Sequence, residues 1–257
     1  MDLEPRERNP AEIRKTIFIL ISVMIIGAVF VLSAYKRHEA SMDKERPPIS
    51  ARLSKNLGAK NQDGKVLSLS VFENKVWFVA PLCVTQLEEN KYALNAMKEL
   101  VEHYRGNDNV GFALISTEGV DMGVGPEELN KAAKALDLDT TRITLFTTGD
   151  TRKQRGYIKD QLRLGIVSER PEGDPAGKWK FPSQIALIDQ GMHLRQRYDF
   201  REVYQSQQTA EKDLQENPEL AQKKDFDRYI NAVANLKETL HKNTAYVLAE
   251  VTLGSKE

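Results

Sequence analysis

The chain has 257 residues, in which 37 lysines and arginines balance 37 aspartates and glutamates. That balance leaves no net field to draw nucleic acid or an anionic membrane surface, and no basic patch interleaved with aromatics stands out. A single cysteine excludes any intramolecular disulfide and leaves the redox compartment open, while the length allows one sizeable domain plus appendages.

Residues 1–15 are polar, with Arg6, Arg8, Arg14 and Lys15 offset by Asp2, Glu4, Glu7 and Glu12. From Thr16 to Tyr35 the chain carries no charge for 20 residues. At ~1.5 Å per helical residue that run matches a hydrocarbon core of ~30 Å. It is apolar on all sides, unlike a core helix, and longer than the core of a signal peptide. No small-x-small cleavage site follows it, so it reads as an uncleaved single-pass anchor. Lys36, Arg37, Lys44 and Arg46 beyond it match the basic count before it, and orientation is not set by charge. Residues 36–55, with Pro47-Pro48, read as a solvated stalk.

A domain is expected over residues 56–200. Asn61-Gln62-Asp63-Gly64 signals a tight turn, followed by alternating Val66, Leu67 and Leu69. Val76-Trp77-Phe78-Val79-Ala80 reads as a strand buried on both faces, with a turn at Pro81 and Leu82. Cys83 then falls where a helix is expected to begin, with Leu87, Leu94, Met97, Val101 and Tyr104 as its apolar face. A thiol at a helix start lies near free backbone N–H groups that favour a thiolate, as in reactive or metal-binding cysteines. The alternative is a cysteine buried as a small hydrophobe.

Residues 110–116 form a second buried strand, and Pro126-Glu127-Glu128 opens a helix packed through Leu129, Ala132, Ala133 and Leu136. A short strand at Ile143 to Phe146 precedes a helix capped by Asp150 or Thr151 and running to about Leu164. Residues 168–180 read as a polar Pro/Gly-rich loop. Residues 183–189 and 192–198 form a hairpin around Asp189-Gln190-Gly191. Residues 201–257 form a helical extension, poorly specified up to 224, with an amphipathic face of Phe226, Tyr229, Ile230, Val233, Leu236 and Leu240. For residues 244–253 strand and helix both remain open. Alternating β and α with a closing antiparallel pair gives an α/β, thioredoxin-like fold with an N-terminal transmembrane helix and a C-terminal helical extension. In such sheets the crevice lies at the carboxyl ends of the strands, where Cys83 falls.

The order anchor, stalk, Asn61 to Gly64 turn, Asn74 to Val79 strand and Cys83 resembles the Sco (SenC) family. These are thioredoxin-fold copper chaperones that assist assembly of cytochrome c oxidase. Residues 115–118 followed by Pro126 to Leu129 resemble that family's acidic loop and helix start. Residues 187–191 resemble its last hairpin. The likeness covers residues 16–200 and implies a bacterial inner-membrane protein with its domain on the periplasmic side.

In that family two cysteines of a CxxxC motif and a distal histidine bind copper. Here the second cysteine position is Leu87, and the position matching the histidine, six residues before Leu187, is Phe181. Cys83 alone survives as a metal-ligand candidate. One thiolate neither holds Cu(I) tightly nor exchanges disulfides without a resolving thiol. His38, His103, His193 and His241 read as surface or helix-end residues. No resident cofactor is therefore expected, and copper is the minor alternative. The expected role is protein contact, in an assembly or interaction factor related to oxidase biogenesis, with a protein partner and a membrane but no nucleic acid.

Two other functions compete with this one. A single-cysteine peroxidase of the peroxiredoxin type would have Thr three residues and Pro seven residues before the cysteine, where this chain has Ala80 and Val76. A copper carrier would need Cys83 of two chains on one ion. Glu118 and Asp121 read as a solvated turn. The segment DMGVGPEE lacks the Lys and Ser/Thr of a phosphate loop, and the isomer at Pro182 is left open.

Overall fold

The computed structural model describes residues 10–42, 47–223 and 226–254. Two compact units divide between residues 46 and 47. In the first, helix α1 (Pro10–Met42) contains Arg14–Ser33, long and apolar enough to cross a membrane, with none of the span buried. Residues 43–46 of the expected stalk lie outside the described residues, as do 1–9. The helix continues to Met42, so the earlier part of that segment is helical.

The second unit is built on an eight-stranded mixed sheet. Its strands are β1 (Ala51–Arg52), β2 (Gly58–Asn61), β3 (Val66–Ser68), β4 (Val76–Leu82), β5 (Val110–Ser116), β6 (Ile143–Thr147), β9 (Gln184–Ile188) and β10 (His193–Asp199). They lie in the order β1-β10-β9-β4-β5-β6-β2-β3. Strands β4, β5 and β6 are parallel, joined by α2 (Lys91–His103) and α3 (Pro126–Ala135). Strand β9 runs antiparallel to β4 on its other side and turns into β10, which leads into α5 (Phe200–Glu216). A βαβ crossover followed by an antiparallel ββα on the central strand is the thioredoxin-like arrangement expected from the sequence.

Central burial explains the composition of β4 and β5, whose residues are all buried. Phe78, Phe112, Leu114, Leu145 and Leu187 face α2, α3 and α7 (Ala232–Gly254), and Trp77, Val79, Ala113, Ile115 and Phe146 face α4 (Thr151–Asp160). Successive residues alternate between the two cores, as a pleated strand requires.

Several boundaries differ from expectation. Strand β4 runs through Pro81 and Leu82, where a turn was expected. Strand β9 pairs only with Trp77, Phe78 and Val79, so no partner on that side needs the N–H that Pro81 lacks. Helix α4 starts on the Asp150 cap, whose carboxylate accepts from Lys153 N at 3.0 Å, and ends at Asp160 rather than near Leu164. The loop over residues 168–180 contains a small hairpin, β7 (Ser168–Glu169) with β8 (Trp179–Lys180). Residues 51–52 pair with β10, so the end of the expected stalk belongs to the sheet. The extension folds as α5, then α6 (Asp227–Ile230) and α7. Residues 244–250 are helical, and α7 packs on α5 and β4.

Candidate functional site around Cys83

Cys83 does not open a helix. It follows β4 directly, and α2 begins only at Lys91, after a turn and a 3-10 segment, Leu87–Asn90. Asn90, almost fully buried, folds this connection. Its Oδ1 accepts from Cys83 N at 2.8 Å, and its Nδ2 donates to the carbonyls of Cys83, Gln86 and Leu87 at 2.8, 3.0 and 3.1 Å. One carboxamide thus bonds four backbone groups of the turn, one of which, Gln86 O, also accepts from Glu89 N at 3.2 Å.

The N–H groups that follow the cysteine are already engaged. Glu118, 1% exposed at the end of β5, accepts from Val84 N at 2.8 Å and Thr85 N at 3.1 Å through Oε2, and from the Thr85 hydroxyl through Oε1. The expectation of a solvated acidic turn is therefore corrected for Glu118 and holds for the exposed Asp121. Glu118 is a buried carboxylate held by charge-assisted hydrogen bonds, and Asp121 accepts from Thr151 N and Oγ1 at the start of α4. Glu118 takes up the N–H groups of Val84 and Thr85, which leaves that of Gln86 directed at the thiol.

The thiol is wholly buried and packs with Trp179 and Phe181, with Val167 against them. The hydroxyls of Thr85, 3.8 Å from Sγ, and Thr117 flank it. Burial first, and the charge of Glu118 second, push the thiol up to about 11, against the smaller pull of the Thr117 and Thr85 hydroxyls and the Gln86 N–H. Of the two readings open from the sequence, an activated thiol at a helix start and a cysteine buried as a small hydrophobe, the structure supports the second.

Each aromatic ring over the sulfur carries an arginine. The Arg155 guanidinium lies 3.9 Å from the Trp179 ring centroid and donates through Nε to Thr117 O at 2.8 Å. Arg201 lies 5.3 Å from the Phe181 ring and donates to Phe181 O at 3.1 Å and Glu89 O at 2.9 Å. Gln86 ties the turn to the hairpin that carries Trp179. It donates to Ala176 O and Trp179 O at 2.7 and 3.1 Å and accepts from Trp179 N. The Glu89 carboxylate reaches Arg170 at 3.4 Å and Arg201 at 3.5 Å. The Phe181–Pro182 peptide is trans.

Of the three positions singled out in the sequence, Cys83 and Phe181 meet in one cluster, and Leu87 is half-buried in the 3-10 turn. No group of three metal-ligating side chains occurs among the described residues. His193 sits on the last hairpin against Asp189, with Nδ1 at 3.2 Å from the carboxylate, and His103 and His241 pair with each other. The side chain of His38 lies outside the described residues. Arg155, Asn90, Gln86 and Trp179 were not signalled by the sequence, because each acts through contacts between segments remote in the chain.

No protein-family profile and no curated protein sequence matches the chain. Among solved structures it is similar to a SCO1/SenC family lipoprotein from Bacillus anthracis, with 21% identity, 60% of this chain and 88% of the other covered, and TM-score 0.49. A second is BsSco, described as a member of the Sco family of cytochrome c oxidase assembly proteins, with 17% identity, 75% and 96% covered, and TM-score 0.48. A thiol peroxidase from Chromobacterium violaceum is similar at 15% identity, 65% and 89% covered, and TM-score 0.41. The likeness is one of fold. The strand order of the second unit makes the domain thioredoxin-like without help from these comparisons.

Proposed function

We propose that the chain is a membrane-anchored, Sco-like thioredoxin-fold protein that acts by protein contact, in biogenesis of a respiratory oxidase, without the family's copper chemistry. The observation that carries this reading is the Cys83 cluster, in which the sulfur meets Phe181 and Trp179 rather than a second sulfur or an imidazole. Copper does not fit these residues. A soft ion of low coordination needs at least two good donors. The one thiol here is desolvated, faces the Glu118 charge and is held protonated at neutral pH.

The sequence order described above, from an apolar anchor to the last hairpin, supports the family assignment, and α1 supplies a segment suited to a single-pass anchor. The expected location is the bacterial inner membrane with the domain on the periplasmic side. Copper titration of the full chain in lipid nanodiscs tests the reading, with no tight Cu(I) expected; one tightly held Cu(I) per chain would end it. Complementation adds a second test. In a strain lacking the gene, Cys83→Ala should restore oxidase assembly as well as the native chain does.

A peroxidase reading is weaker on two physical grounds. The peroxide-reducing form is the thiolate, and here the thiol is buried and pushed up to about 11. Brief exposure to low peroxide should leave Cys83 without sulfenic acid by mass spectrometry. A copper ion shared by two Cys83 thiols meets the same obstacle, because the sulfur is covered by its own chain. Size-exclusion with and without copper should show no metal-driven dimer.

A further inference from the structure

We propose that His103 and His241 form an acid-sensitive clasp that holds helix α7 against α2 at neutral pH and loosens it in acid. The two imidazoles come from the last turn of α2 and the middle of α7, with ring centroids 4.5 Å apart and planes tilted by 54°. Tyr104 closes the third side, with its ring 4.7 Å from His103 and 6.1 Å from His241. His241 Nδ1 is buried and has no hydrogen-bond partner among the described residues. Neutral rings pack here as flat apolar bodies, whereas two imidazolium ions at this separation repel each other in partly dry surroundings.

The charged groups around the pair offset that repulsion only in part. Glu99 on α2 is the nearby carboxylate, and it already pairs with Lys237 of α7 at 2.8 Å. Glu102 and Arg105, at the exposed end of α2, pair with each other at 2.6 Å. Burial first, then His103, with Lys237 adding and Glu99 opposing, holds His241 below the ordinary histidine range. A base depressed in the folded state gives stability that is complete above about pH 6.5 and is lost as pH falls through its folded value.

What the clasp guards is the apolar seam beneath α7. Leu240, Thr244 and Val247 are buried, and Leu240 and Val247 join the core of α2 and the sheet. Asn243 donates to the Tyr198 hydroxyl at 2.9 Å. Loosening α7 in acid bares this seam while the central strands stay paired, so the change is local rather than global.

Hydrogen exchange of the full chain in nanodiscs tests the clasp, comparing α7 with the α4 peptides at about pH 7.5 and about pH 5.5. After correction for the intrinsic chemical rate, α7 should exchange about tenfold faster in acid, α4 should not, and His103→Gln/His241→Gln should abolish the difference. If that variant does not fold, His103→Gln alone should reduce the response, and the wild-type imidazole of His241 should titrate below the ordinary range by NMR. Equal α7 protection at both pH values, an unchanged response in the folded double variant, or a His241 titration at or above the ordinary range would each overturn the proposal.

Discussion

The Arg155 guanidinium stacks on Trp179, and Trp179 in turn packs against the Cys83 sulfur. This layering joins three remote segments: α4, the β7–β8 hairpin and the end of β4. Cation–π contacts of this kind contribute ~0.5–2 kcal/mol, and here the cation also donates to Thr117 O. The hairpin itself is short and its strands are two residues each, so its hold on the domain comes from Trp179, Gln86 and Arg170 rather than from its own ladder.

That arrangement makes Trp179 the cover of the thiol. Trp179→Ala should raise the rate at which the native protein reacts with a maleimide about tenfold or more, because local opening would replace a deeper unfolding as the route to the sulfur. Arg155→Gln should act in the same direction with smaller effect. An unchanged labelling rate in folded Trp179→Ala would show that something else covers Cys83.

Glu118 is the charge that opposes ionisation of Cys83. Glu118→Gln removes that charge, so the thiol should titrate lower than about 11, followed by the ultraviolet absorbance of the thiolate. The sign for stability also follows. An acid raised in the folded state stabilises below its unfolded value, near pH 9, and that contribution is lost as pH rises towards about 11. Cys83→Ala should therefore flatten the alkaline fall in stability, measured by denaturant midpoints across that range. A steeper fall in the alanine variant would reverse the assignment.

The layered fold was legible in the sequence because its signals are local. Doubly buried strands read as unbroken apolar runs at 76–80 and 110–116, and Pro126 with its acids marks a helix start. The site was legible only as an alignment. Phe181 meets Cys83 as the order of segments implied, yet the environment of the sulfur depends on Asn90, Glu118, Arg155 and Trp179. Glu118 in particular looks like any acid in a glycine-containing turn until the 83–85 backbone is folded over it. The helix expected at Cys83 failed for a related reason: Asn90 bonds four backbone groups of the turn and delays α2 to Lys91.

The end of α7 is tied to the last hairpin by charge. Arg195, 5% exposed, donates to Glu250 through two nitrogens at 2.9 Å each, to Asp189 at 3.0 Å and to Pro47 O at 2.9 Å. Arg195→Met keeps the apolar stem but removes the guanidinium from the buried Asp189 carboxylate, which is left with Gly191 N, His193 N and the His193 ring as partners. Removing one partner of such a pair costs ~3–5 kcal/mol, less where water can reach the remaining charge. Calorimetry should show a clear fall in Tm, and a double change with Asp189→Asn should recover part of it. A loss below ~1 kcal/mol would place the network among surface ion pairs.

Gly111 carries a steric requirement at the other core. A Cβ at this position would lie 2.5 Å from Phe72 Cδ1 and 3.3 Å from the Trp77 Cβ, and Phe72 is itself stacked on Trp77 with centroids 4.9 Å apart. The Phe72 ring can move only by breaking that stack or its edge contact with Phe146 at 6.2 Å. Overpacking of this kind costs ~1–3 kcal/mol. Gly111→Ala should lower the denaturant midpoint by a matching amount with an unchanged slope, and Phe72→Leu in the same chain should restore part of the loss by vacating the space. If Gly111→Ala is neutral while Phe72→Leu alone is strongly destabilising, the ring has room to yield and β5 does not need its glycine.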